Sequence, residues 1–255
     1  MKSIIKLLLP ILLYKNALIA QEIDTIKISQ KDLQINQLKV GKSQYLVYIL
    51  EDKNAPKTSL QIWNIGVNKE SYQGKNVISV FQKWEGKDTI IHTAKSISLA
   101  ENFKPVYHES WWNKRGKQVF DEDKKKLWID DEEIDSSELD VKKKSVYSSF
   151  TAAKDYFLNW HLDLEIFSML PYKKNRTFVI PFYEFGYEKP KSVSYTVTGE
   201  NDLFYNGQRI KCWLLQHEEE GNKELFWISK ATYEVLKMEQ LIYDKVYRYK
   251  LKIVN

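Results

Sequence analysis

The chain of 255 residues contains one cysteine, nine glycines and six prolines, and each scarcity closes off a class of protein. A single thiol, Cys212, permits no intramolecular disulfide and no paired-cysteine metal knuckle. Nine glycines leave little material for loops that cradle phosphate, and neither a P-loop nor a G-x-G-x-x-G turn occurs. The four histidines, His92, His108, His161 and His217, are scattered. They form no His-Glu-x-x-His pair, and no Gly-x-Ser-x-Gly nucleophile turn is present. No period of 20 to 50 residues repeats, so solenoids and propellers are unsupported. A charge excess of one sign is also missing. The 39 basic and 34 acidic residues are interspersed, so the pI of 8.9 does not make a nucleic-acid binder.

The first twenty residues have the order of a cleavable secretory signal. Lys2 and Lys6 lead, an apolar stretch from Leu7 to Tyr14 follows with Pro10 inside it, and Ala17-Leu18-Ile19-Ala20 precedes the polar Gln21-Glu22. The stretch is too short to cross a bilayer, which takes about 20 apolar residues. Export to the periplasm or outer envelope is expected, with cleavage near Ala20. Cys212 is far from that point, so no lipid anchor is expected there. Loss of Lys2, Lys6 and Lys15 would leave 36 basic against 34 acidic residues. An exported chain without disulfides must rely on core burial, which about 235 residues can supply. Cys212 lies between Lys211 and Trp213 in an apolar run and reads as a packed, inert thiol.

Short alternating runs separated by Gly, Asn or charged turns dominate the rest. Strands are predicted over 44–51, 60–67, 77–85, 89–99, 106–112 and 117–120. A second set covers 177–185, 192–199, 209–217, 225–228, 234–243 and 246–254. Asn206-Gly207 is the clearest hairpin turn, because both residues tolerate positive φ. Segment 151–170 breaks the pattern, with Ala153, Phe157, Trp160, Leu164 and Phe167 at helical spacing, Thr151 as a cap and Pro171 as a stop. The expected fold is mainly β (α+β), a curved antiparallel sheet wrapped around one central helix. Residues 1–20 form the signal, 21–58 an extended lead-in with one strand, and 59–255 a single domain. The acidic stretch 121–140 lacks the glycine and ligand spacing of a calcium loop and reads as a solvated hairpin or loop. No metal or other cofactor is expected.

Catalytic chemistry has weak support. His92 and His108 fall on neighbouring predicted strands with Glu85 and Glu109 nearby, so a His–carboxylate pair is conceivable for acid–base work. No motif adds to it, and a non-enzymatic protein is expected. Aromatic content is the stronger signal, with 8 Trp, 16 Tyr and 11 Phe. Each strand can present one apolar face. If that face forms a hollow, Trp84, Tyr107, Trp112, Trp160, Trp213 and Trp227 are the candidate ligand-binding residues.

Three segments carry a resemblance. They are Gly74-Lys-Asn-Val-Ile-Ser-Val-Phe-Gln-Lys-Trp84, Pro105-Val-Tyr-His-Glu-Ser-Trp-Trp112 with Gly116-Lys-Gln-Val-Phe-Asp121, and Cys212-Trp213 with Phe226-Trp-Ile-Ser-Lys-Ala-Thr-Tyr-Glu-Val-Leu-Lys-Met-Glu239. From about Leu60 to the C terminus the chain resembles uncharacterised exported proteins of Bacteroidota-type bacteria. That group is similar to periplasmic domain-of-unknown-function proteins with the half-barrel of the LolA- and LolB-like lipoprotein carriers. The resemblance implies a half-barrel that shelters a lipid or another apolar ligand on its concave face. The alternative expectation is a cell-envelope assembly partner that docks another protein through a Trp-rich face.

Overall fold

The structure is a computed structural model that describes residues 24–186 and 189–254; the predicted signal, 1–20, lies outside the described residues. The strands in chain order are β1 (Asp24–Lys27), β2 (Gly41–Leu50), β3 (Thr58–Tyr72), β4 (Lys75–Glu85), β5 (Ile90–Leu99), β6 (Pro105–Trp112), β7 (Gly116–Asp121), β8 (Lys126–Ile129) and β9 (Glu132–Ile134). Helix α1 (Val141–Ala152), the short strand β10 (Leu158–Asn159), a 3-10 turn (Trp160–Leu162) and helix α2 (Asp163–Ser168) follow. The chain ends with β11 (Arg176–Tyr183), β12 (Lys191–Tyr205), β13 (Gln208–Glu219), β14 (Asn222–Ser229), β15 (Val235–Ile242) and β16 (Val246–Val254).

All sixteen strands join one sheet. β2 lies near its middle, between β16 and β3; β4 to β9 continue outward on one side, and β15 back to β11 on the other. Pairing is antiparallel except at the far edge, where β1 and β10 run parallel to β11 along its one free side. Buried residues from β11 to β15 and from β2 to β4 meet in a single cluster with α2, so the sheet curves around that segment. The fold is thus mainly β and mostly antiparallel, as the alternating pattern predicts. The Asn206-Gly207 turn takes positive φ at both residues, 49° and 75°. The acidic stretch folds into the β8–β9 hairpin, turned at Asp130-Asp131 and bridged by Lys126 and Glu133 at 2.8 Å.

The helical region differs from the sequence expectation. One helix over 151–170 is not formed: α1 ends at Ala152, 153–157 is neither helix nor strand, and β10, the 3-10 turn and the six-residue α2 follow. α1 starts ten residues earlier, at Val141, capped by Asp140, whose Oδ1 accepts from the backbone N–H of Lys142 and Lys143 at 2.9 and 3.0 Å. Thr151, the expected cap, lies in the last turn and donates its hydroxyl to the Tyr147 carbonyl. α1 shows little periodicity because only Phe150 on it is buried. The helical spacing of Ala153, Phe157 and Trp160 comes from apolar density: this segment is packed on several sides whatever its backbone does. The lead-in also differs. Residues 24–58 carry two strands, and β2 is a central member of the sheet.

Candidate functional site

The inner side of the curved sheet is filled by the chain itself. Leu164, Ile166 and Phe167 of α2 are buried, and Phe167 packs against Tyr195 and Phe226 with ring centroids 4.7 and 4.8 Å apart. The expected hollow for an apolar ligand on the concave face is therefore occupied by core.

A cleft of about 330 Å³ opens on that side at the rim of the sheet. Trp63, Trp84, Trp112 and Trp160 line it, together with His161, Asp163, Glu224, Gln240, Arg248 and Lys250. Three of the predicted ligand-binding residues, Trp84, Trp112 and Trp160, are thus brought together. Their ring faces are already in use. Trp63 stacks on Trp84 at 3.7 Å, His161 also stacks with Trp84 at 5.5 Å, and the Lys250 ammonium lies 4.7 Å from the Trp63 ring centre. Trp160 stacks on Phe182, and Trp112 packs on His92. The other three predicted residues lie elsewhere. Tyr107 faces outward and donates its hydroxyl to Glu109, Trp213 stacks on Tyr172, and Trp227 belongs to a small outer cluster with Cys212 and Leu236. Cys212 is fully buried, and desolvation pushes its thiol up to about 11, as an inert thiol requires.

Behind the tryptophans, three histidines form a network. The Trp111 carbonyl can only accept, so His92 Nδ1, 2.9 Å away, carries the proton. His92 Nε2 then accepts from His161 Nε2, also at 2.9 Å. Asn159 Oδ1 accepts the His161 backbone N–H, which points its amide nitrogen at His108 Nδ1, 3.1 Å away. The Ser96 hydroxyl meets the same nitrogen at 2.9 Å. These contacts are met with all three rings neutral, and a further proton on His92 Nε2 or His108 Nδ1 would set donor against donor. Burial pushes His92 down to about 4 and His108 to about 3, and holds His161 well below its ordinary value. The His–carboxylate pair is not formed: Glu85 and Glu109 lie on the opposite face of the sheet from His92 and His108, bound to Asn64 and Tyr107. The sequence pattern placed His92 and His108 on adjacent strands but missed His161, because its segment reads as helix.

A larger groove, of about 790 Å³, lies on the outer face over β2 to β6. It follows two cross-strand rows. One is Lys42–Gly66–Phe81–Lys95–Glu109, and the other is Gln44–Asn64–Lys83–Thr93. Gly66 leaves the first row without a side chain between Lys42 and Phe81, and a Cβ added there would meet nothing within 4 Å. The surface of the groove is mostly carbon, and its cations are Lys42, Lys83 and Lys95. Lys83 is paired with Glu85 at 2.8 Å, and the Lys95 ammonium lies 5.4 Å from the Phe81 ring centre. Among the described residues no three His, Cys, Asp or Glu converge as a metal site, and no helix is long and apolar enough to cross a membrane.

Residues 44–250 match the family described as protein of unknown function (DUF3108). No curated protein matches the chain. Three solved structures are similar over most of their length. A DUF1329 family protein from Desulfovibrio piger shares 10% identity, with 86% of this chain and 87% of that one covered and a TM-score of 0.30. The hypothetical lipoprotein YmcC from Escherichia coli shares 12%, with 90% of each chain covered and a TM-score of 0.31. A putative outer membrane lipoprotein-sorting protein domain from Vibrio parahaemolyticus shares 14%, with 87% and 90% covered and a TM-score of 0.26. At these scores the likeness carries no argument about function.

Proposed function

The chain belongs to the DUF3108 family, whose description assigns no activity, and we propose that it is an exported, non-enzymatic binding protein for an anionic amphiphile. The observation that supports this reading is the outer groove. Its volume of about 790 Å³ is in the range of small-molecule sites, about 300–1,000 Å³. Carbon surface runs along the floor, and Lys42, Lys83 and Lys95 stand against a single lining carboxylate, Glu109. An acyl chain laid over Gly66 and Phe81, with its carboxylate or phosphate toward the lysines, matches both properties. Export rests on the first twenty residues of the sequence. The protein-docking alternative is less favoured, because seven of the eight tryptophans are buried or half-buried, and Trp111, 37% exposed on the outer face, stands alone.

Gly66 makes the reading testable without harm to the fold. Its φ is outside the left-handed region and its Cβ direction is open, so Gly66→Phe should fold with stability unchanged or raised by up to about 1 kcal/mol. The new ring would occupy the groove. A fluorescent fatty-acid probe and phosphatidylglycerol vesicles are to be titrated against wild type and Gly66→Phe, the two ligands separating a free fatty acid from a phospholipid as the source. Wild type should bind one of them, and the variant at least about tenfold more weakly. A wild type that ignores both, or a variant that binds equally well, refutes the groove as the site.

A further inference from the structure

The inner cleft carries a second assignment, independent of the outer groove: we infer that it is a binding site for a neutral polyhydroxylated ligand, a single sugar or cyclitol unit. Three of its polar residues lie in direct cross-strand register on adjacent strands. Glu224 of β14 pairs with Gln240 of β15, and Gln240 with Arg248 of β16. Gln240 donates its amide to Glu224 Oε1 at 2.9 Å, and the Tyr195 hydroxyl donates to Glu224 Oε2 at 3.2 Å. The row is left with two buried atoms that have no partner, Gln240 Oε1 and Arg248 Nε. One is an acceptor and the other a donor. Leaving both unmade is costly in a protein interior, at about 1–3 kcal/mol each.

The chemistry that satisfies both is narrow. A cation would leave Arg248 Nε without an acceptor, and an anion would leave Gln240 Oε1 without a donor. A hydroxyl group donates and accepts at once, and neighbouring hydroxyls can serve both atoms. Charge points the same way. Asp163, Glu184 and Glu224 face Arg248 and Lys250 across the cleft, and Asp163 is already bound to Lys250 at 3.3 Å. With the signs near balance the cleft gives little net pull on a charged guest. Trp63, Trp84, Trp112 and Trp160 frame the cleft, each already packed on another ring, so the ligand is held mainly by hydrogen bonds inside an apolar frame. A volume of about 330 Å³ limits it to one ring.

Four tryptophans around the cleft supply an intrinsic signal. Glucose, N-acetylglucosamine and myo-inositol are titrated by tryptophan fluorescence and saturation-transfer NMR, with glucuronate and glucosamine as anionic and cationic counterparts of the same size. At least one neutral ligand should bind in the millimolar range, and both charged counterparts more weakly. Arg248→Lys keeps the charge and deletes the Nε donor, and should weaken binding about tenfold or more. Gln240→Met, on the neighbouring strand, should do the same. Lack of response to every neutral probe up to ~100 mM would mean that water alone fills the cleft and would overturn the assignment. Tighter binding of a charged counterpart, or unchanged binding in whichever of the two variants stays folded by circular dichroism, would also overturn it.

Discussion

Replacing Phe167 by Ala should lower the unfolding free energy by about 3–5 kcal/mol, a large part of the stability of an ordinary domain. Phe167 is wholly buried on α2, with Tyr195 and Phe226 within 5 Å of its ring and Phe182 edge-on at 6.4 Å. These partners come from β11, β12 and β14, and the Phe167 ring fills the space between them. No neighbour can move in to fill the void, because the surrounding strands are hydrogen-bonded on both sides, so the cost should fall near the upper end of that range. Urea denaturation at pH 7 measures it. A loss below about 1.5 kcal/mol would mean that the site collapses around the deletion and that the inner face is not packed as described. The same variant bears on the ligand question: should the inner face, and not the outer groove, be the natural site for apolar guests, the enlarged space should bind fatty-acid probe more tightly than wild type.

Much of this architecture can be read from alternation. The twelve strands predicted from the sequence are present, most of them extended by a few residues, because one buried and one exposed face impose a period of two that survives in the sequence. Where both faces are buried or both exposed the signal vanishes. α1 has a single buried residue and no apolar stripe, while 153–170 is apolar in every direction, so periodicity misplaced the helix by ten residues. β1 and β10 are short and pair in parallel with β11, a long-range contact that no local pattern encodes. The candidate sites divide in the same way. Trp84 and Trp112 share the inner face of β4 and β6 by parity, and the cleft gathers them. Trp227 has the opposite parity to Phe226 and Ile228, and it lies outside. The outer groove did have a sign in the sequence. Gly66 interrupts the alternating run 60–67, and an isolated glycine in a strand marks a place where something comes close to the backbone.

Stability should also fall steeply in mild acid, and the buried histidines set the sign. Unfolded, His92, His108 and His161 take up protons near pH 6.5; folded, they resist until about pH 4 for His92 and about 3 for His108. Their contribution is fully present above pH 6.5 and is lost as pH falls toward the folded-state values. Glu165 acts in the opposite direction. It is buried on α2 with Oε2 unpartnered, and desolvation pushes it up to about 7, so its contribution is present below pH 4.5 and is lost as pH rises through 7. Between pH 6 and 5 the three rings outweigh the single carboxyl, and together these groups should reduce the unfolding free energy by about 2 kcal/mol per pH unit. Glu165→Gln separates the two. Removing the carboxyl should raise stability at pH 8 and steepen the decline between pH 6.5 and 5 by about 1 kcal/mol per unit. Urea midpoints at pH 8, 6.5 and 5 for both proteins measure it. A Glu165→Gln midpoint that stays level from pH 6.5 to 5 would show that the rings are protonated in the folded protein, and the neutral network of His92, His161 and His108 would have to be abandoned.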